Sequence, residues 1–453
     1  MTAKWRNHAG FLRPGHSERI SIQTLLGDFL VDRHSPHLLG STTSRFDQAR
    51  IAAGWGAAPP LDKVIRSDAE LEQLLSQPQL FRQAICILEP ADHVGHNHCG
   101  EAVRASLNVA CLAQMIADCD SILLPLWESG QLNPQLLDLL FANCLAIVME
   151  GGHPSVKQAS SFDASRCSHQ ELLELTESLL LNRSEGGAPA LFICLGHQLV
   201  AQAHVRLIQK ATRAILEQAG EILAEAPHQR AALESCCHRI IHTGQELEVV
   251  KKGEVIAKGW DHPCFAVGLN EVPEAGHCEI VHYRATSHHP SPLLPELLLT
   301  HEVTSDSHDG IVEQAITHEK DLNIVMFHSD EVNEEAILFA NWAYHRLHQA
   351  LLPARKRIAV SPLNWTLRLP ESVEILCSTL VQGKVCTEVG ATCISYKNYE
   401  THRMKRSFSC QFHPELLDDL REFRHSGLPD YSELKHDDGV RLLMRILYQS
   451  ILE

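Results

Sequence analysis

Short apolar runs alternate with segments of helical periodicity through the middle of the chain. "QAICILEP" (83–90), "SILLPLW" (121–127), "LAIVMEGG" (145–152) and "APALFIC" (188–194) each read as a buried strand closed by a turn signal. Between them lie helical patterns at 101–119, 133–144 and 168–182, followed by one at 197–219. Asn133 and Pro134 stand in N-cap and first-turn positions, and Ser168 marks another helix start. Strands alternating with helices predict a parallel sheet covered on both faces.

Further along, 245–260 reads as a hairpin around Lys252-Gly253, 309–316 and 323–328 as strands, and 334–352 as a helix. "VEILCSTL", "TCISYKN" and "RSFSCQFH" read as late strands, followed by a terminal helix "GVRLLMRILYQSILE". Residues 1–80 carry many loop signals and one polar helix candidate, "SDAELEQLLSQ", which Ser67 or Asp68 could cap. They are taken as an N-terminal extension or accessory unit. Residues 81–453 form the α/β domain, with large insertions at about 240–350.

Composition narrows the function. A 44% apolar and 21% charged content is that of a globular protein. The formal charge of −17 disfavours nucleic acid or anionic lipid as a partner, although 29 histidines would offset much of it at mildly acidic pH. No apolar run is long enough to span a bilayer, and the first residues show no signal core. The 15 cysteines follow no repeating spacing, which reads as reduced thiols in a cytoplasmic protein.

One of those cysteines sits where a strand hands over to a helix, in "ALFICLGHQL" (190–199). A thiol there projects above the sheet edge, and the positive end of the following helix favours its anion. The N–H of Leu195 can face a developing oxyanion, and Gly196 permits close backbone approach. On these residues alone, the plainer reading of Cys194 is a buried strand-end cysteine.

"ICLGHQ" together with "QFHPEL" (411–416) resembles the class I glutamine amidotransferases, and "MEGGHPSV" (149–156) resembles that family's glycine-rich oxyanion loop. The resemblance extends over about 83–425. It implies a three-layer α/β sandwich with a mostly parallel central sheet and a Cys-His-Glu triad. Cys194 would be the nucleophile, His413 the general base and acid, and Glu415 the residue that orients His413. Leu195, Gly151 and Gly152 would supply the oxyanion hole, and Gln198 would help hold the substrate's amino-acid end. The reaction needs no cofactor. Its substrate would be glutamine or another γ-glutamyl small molecule, with the ammonia passing to a separate synthase subunit, since no nucleotide-binding signature is present in the chain. The alternatives are a stand-alone γ-glutamyl amide hydrolase and a catalytically degenerate scaffold.

Two points stay open at this level. His328 and Asp330 in "MFHSDEV" repeat the His-x-carboxylate spacing, although the fuller match favours His413 and Glu415. Phe192 stands where the family has glycine, which predicts a looser elbow. "ADHVGHNHCGE" (91–101) gathers His93, His96, His98, Cys99 and Glu101, but in no familiar zinc spacing, and reads as a polar loop.

Overall fold

A computed structural model describes residues 63–413 apart from 92–93, 97–101, 105, 107–108, 111–119, 131, 153, 164, 252, 270–278, 285–299, 303–313, 317–321, 327–329, 382–383 and 398–403. The first half runs β1 (Lys63–Val64), α1 (Asp68–Leu75), β2 (Ala84–Glu89), β3 (Val94–His96), β4 (Ala102–Arg104), β5 (Asp120–Pro125), α2 (Pro134–Asn143), β6 (Ala146–Met149), α3 (His169–Glu185), β7 (Ala190–Ile193) and α4 (Leu195–Ile222). Next come α5 (Pro227–Glu246), β8 (Glu248–Lys251), β9 (Glu254–Lys258), β10 (Val267–Leu269), β11 (Glu279–Arg284), β12 (Thr300–Glu302), β13 (Gln314–Ile316), β14 (Leu322–Met326) and β15 (Asp330–Val332). The last described elements are α6 (Glu334–Leu351), β16 (Ser372–Val381), β17 (Lys384–Lys397) and β18 (Met404–Cys410).

Ten strands form one sheet in the order β1-β5-β2-β6-β7-β18-β17-β16-β11-β14. From β1 to β18 every pairing is parallel, and beyond β18 every pairing is antiparallel. The parallel half needs apolar residues on both faces, and β2, β6 and β7 are buried at every position. α4 packs on β7 and β18, α3 on β17 and β18, and α6 on β16 and β17. The result is the expected α/β class, a mostly parallel central sheet flanked by helices.

Local chemistry sets the helix starts. The Ser67 side chain accepts the Glu70 N–H, and the Asn133 side chain accepts the Gln135 N–H. Ser168 and Glu171 form a reciprocal capping box at the start of α3. Helix α5 has no counterpart among the expected elements. Its buried stripe is Leu233, Cys237, Ile240 and Gly244, a helical spacing whose cysteine and glycine make the apolar signal faint. Gly244 is needed there because a Cβ would lie 2.6 Å from the Trp260 ring.

One expectation changes. Residues 102–104, placed in a helix over 101–119, instead pair as a strand with β3. β13 lies inside the expected strand 309–316 and pairs with β12 apart from the main sheet. Within residues 63–80, β1 forms the sheet edge against β5 and α1 packs on α2. The terminal helix and most of residues 1–80 lie outside the described residues.

Candidate active site

Cys194 has φ 48° and ψ −103°, and it is the only non-glycine residue of positive φ among the described residues. Such a conformation costs about 1–3 kcal/mol and persists only where its surroundings hold it. Both of its backbone groups are held. Its N–H donates to the Cys410 carbonyl at 2.7 Å, and its carbonyl accepts the Gln198 N–H at 3.0 Å. Gly196 completes the turn, since a Cβ there would stand 2.9 Å from the Met149 carbonyl oxygen. Phe192 does not loosen this elbow. Its ring is fully buried, and the sharp turn depends on the backbone of Cys194 and the bare Cα of Gly196.

Helix α4 begins at Leu195 and runs for 28 residues, so the thiol sits at the positive end of a long helix dipole. The first N–H groups of a helix have no intrahelical acceptor, and that of Leu195 is the nearest in sequence to the sulfur. Gly151 and Gly152 follow directly after β6. A Cβ on Gly152 would lie 2.6 Å from the Ala91 Cβ and 3.0 Å from the Leu195 Cδ2. The glycine loop therefore packs directly against the residue that follows the thiol.

The strand that leads to His413 is the immediate parallel neighbour of the strand that leads to Cys194. Phe408, Ser409 and Cys410 pair with Leu191, Phe192 and Ile193. Cys194 and the Gln411–His413 segment thus leave the sheet at the same edge, where open α/β sheets bind ligands. Cys194 and His413 are both buried, each 3% exposed. Glu415 lies outside the described residues, as does His328. β14, which precedes His328, is the last strand of the sheet, with four strands between it and β7. The Asp330 carboxylate receives the Ser155 hydroxyl at 2.5 Å and the Lys157 ammonium at 2.5 Å. It binds the segment that follows the glycine loop.

Gln198 is turned into the protein. Its side-chain N–H groups donate to the Asp330 carbonyl at 2.9 Å and to the Gln411 side-chain oxygen at 3.3 Å. Gln411, fully buried, donates in turn to the Cys194 sulfur at 3.6 Å. Sequence reasoning assigned no role to Gln411, Ser155 or Lys157. Gln411 stands inside the "QFHPEL" motif, whereas nothing local marks Lys157.

His197, three residues after the thiol, is a structural group. Its Nε2 lies 2.9 Å from the Val389 carbonyl, which can only accept, so that nitrogen carries a proton. Its Nδ1 meets the Ser409 hydroxyl at 2.7 Å. Several other thiols are suppressed by burial. Burial pushes Cys144, Cys167 and Cys237 up to about 12, and Cys86 well above its ordinary value.

The His/Cys loop at 91–101 has its candidate ligands outside the described side chains. Among the described residues no group of three or more His, Cys, Asp or Glu is arranged to hold a metal ion. No helix there is long and apolar enough to cross a membrane.

No protein-family model and no curated protein matches this chain. Among solved structures it is similar to the glutaminase domain of Trypanosoma brucei CTPS with bound acivicin. The identity is 11% and the TM-score 0.37, over 82% of this chain and 93% of that one.

Proposed function

We propose that this chain is a cysteine-dependent glutaminase that releases ammonia from the side chain of glutamine or of a related γ-glutamyl amide. The observation that carries the reading is the backbone of Cys194, held at φ 48° between β7 and a 28-residue helix. A strained residue at a strand-to-helix turn costs stability, and such strain clusters at sites where the side chain is presented for chemistry.

In this reaction the Cys194 thiolate attacks the carboxamide carbon. The N–H groups of Leu195 and of the Gly151-Gly152 loop hold the resulting oxyanion. His413 takes the thiol proton and delivers it to the departing nitrogen, which leaves as ammonia. A glutamyl thioester remains on Cys194. Water, deprotonated by His413, attacks the thioester through a second oxyanion and frees glutamate and the thiol. Glu415 orients the imidazole and stabilises its charged form. The ammonia goes to an acceptor-activating synthase carried on a separate chain.

The test pairs two readouts on the full chain. Ammonia release is measured from glutamine and from a series of γ-glutamyl amides, with Cys194→Ala as the blank. A glutamine-mimicking diazoketone is then used to label the protein, and the labelled peptide is found by mass spectrometry. Label on Cys194 together with ammonia release supports the proposal, and the preferred amide names the substrate. Label without release points to an enzyme that needs its partner. A folded chain with neither label nor release would be a scaffold, and the proposal would fall.

A further inference from the structure

The carboxamide of Gln411 is a side-chain donor to the candidate nucleophile. Its Nε2–H points at the Cys194 sulfur at 3.6 Å, within the range for a sulfur acceptor. A primary amide can reverse its two ends, and its neighbours fix which end faces the thiol. Gln198 Nε2 can only donate, and it lies 3.3 Å from Gln411 Oε1. The oxygen end of Gln411 is thereby held toward Gln198 and the nitrogen end toward the sulfur. Gln198 is anchored in turn by its donation to the Asp330 carbonyl at 2.9 Å. The Gln411 main chain is fixed as well, its N–H bonded to the Gly390 carbonyl at 2.8 Å. Gln198 and Gln411 are both buried, at 3% and 0% exposure, so water does not compete for these bonds.

We propose that Gln411, oriented by Gln198, is a catalytic residue that donates a hydrogen bond to the Cys194 sulfur and favours its anionic form. Gln198 is then a positioning residue that acts through Gln411 and is not a contact for the substrate's amino-acid end. The assignment rests on the reading of Cys194 as the nucleophile. The physical reason is asymmetry. An N–H bond to an ionised sulfur is stronger than one to a neutral thiol, so the donor raises the thiolate fraction. When the sulfur bonds to carbon the amide loses an anionic partner, so its effect falls on the resting enzyme and on expulsion of the thiolate from the thioester.

The experiment measures alkylation of Cys194 by iodoacetamide from about pH 6 to pH 10, with the modified peptide quantified by mass spectrometry. Other buried thiols do not interfere, because each peptide is read separately. Gln411→Met keeps the volume and removes the donor. Its Cys194 alkylation is expected to be about tenfold slower near pH 7 and to converge on the wild-type rate near pH 10. Gln411→Glu is closer in shape and places a carboxylate beside the sulfur, so its slowing near pH 7 is expected to be larger. Gln198→Met is expected to move the profile in the same direction by less. Profiles unchanged from wild type, or lowered by one factor at every pH, overturn the proposal, because altered access alone scales the whole curve. Alkylation needs no glutamine. A chain with neither diazoketone label nor ammonia release that still showed this pH shift would lose the proposed function and keep only the thiolate-stabilising hydrogen bond from Gln411.

Discussion

The main-chain N–H of Cys194 donates to the carbonyl oxygen of Cys410 across 2.7 Å. That bond extends the parallel pairing of β7 and β18 by one step, to the residue where β7 becomes α4. The thiol and the segment leading to His413 are therefore registered by backbone geometry at one sheet edge, although His413 follows Cys194 by 219 residues in the sequence. Loop closure explains why the long intervening insertion is tolerated. Doubling a connection adds only about 0.6 kcal/mol of entropy cost.

The elbow stores strain that glycine would release. At ordinary positions alanine is more stabilising than glycine by about 0.5–1 kcal/mol, through the entropy of the unfolded chain. At residue 194 the order is expected to reverse. Cys194→Gly should exceed Cys194→Ala by about 1 kcal/mol in urea unfolding, because glycine accepts a positive φ without cost. A more stable alanine variant would mean that the backbone there is unstrained.

Gly152 fills a gap with no room for a side chain. In Gly152→Ala the new methyl would press on Ala91 and Leu195, pushing the glycine loop away from the thiol. Ammonia release is expected to fall by about a hundredfold, carried by kcat with little change in KM. Steady-state kinetics with glutamine would show it. A fall confined to KM would remove this loop from the oxyanion hole.

Lys157 and Asp330 form an ion pair with side chains only 6% and 4% exposed. Removing one member of such a pair leaves a buried charge poorly compensated and costs about 3–5 kcal/mol. Lys157→Met is expected to lose stability in that range, and the double variant Lys157→Met/Asp330→Leu to regain a substantial part of it. Denaturation midpoints of the single and double variants decide. A double variant as unstable as the sum of both singles would count against the pairing.

His204 lies fully buried on α4, where burial lowers its pKa to about 4. Above about pH 6.5 the ring is neutral in both folded and unfolded chains, and its contribution to stability is fully present. As pH falls from 6.5 toward 4 the unfolded chain binds a proton that the folded chain excludes. Stability is lost across that window, on the order of 3 kcal/mol in all, and levels off below it. His204→Leu is expected to flatten that part of the profile. Equal losses in both proteins between pH 7 and pH 5 would show that His204 does not carry the effect.

Much of the parallel half was legible in the chain. The runs at 83–90, 145–152 and 188–194 became β2, β6 and β7, because strands buried on both faces must be apolar throughout. Ser67, Asn133 and Ser168 capped the expected helices, since capping is a contact within one turn. Helix α5 escaped notice because its stripe uses Cys237 and Gly244 where leucines would have shown it. The strand at 102–104 went unread because it stands inside a longer stretch of helical spacing, and its partner β3 lies in a polar segment.

By itself, the order of residues determined where the strands of the parallel half and several capped helices begin, which cysteine stands at a turn, and where glycine must follow it. These are consequences of near neighbours, which sterics and periodicity govern. Only the tertiary structure decided that β18 lies beside β7, that Gln411 reaches the Cys194 sulfur through an orientation set by Gln198, and that Asp330 engages Ser155 and Lys157. Those contacts join residues far apart in the chain. Sheet order and register bring them together, and no local pattern encodes that order.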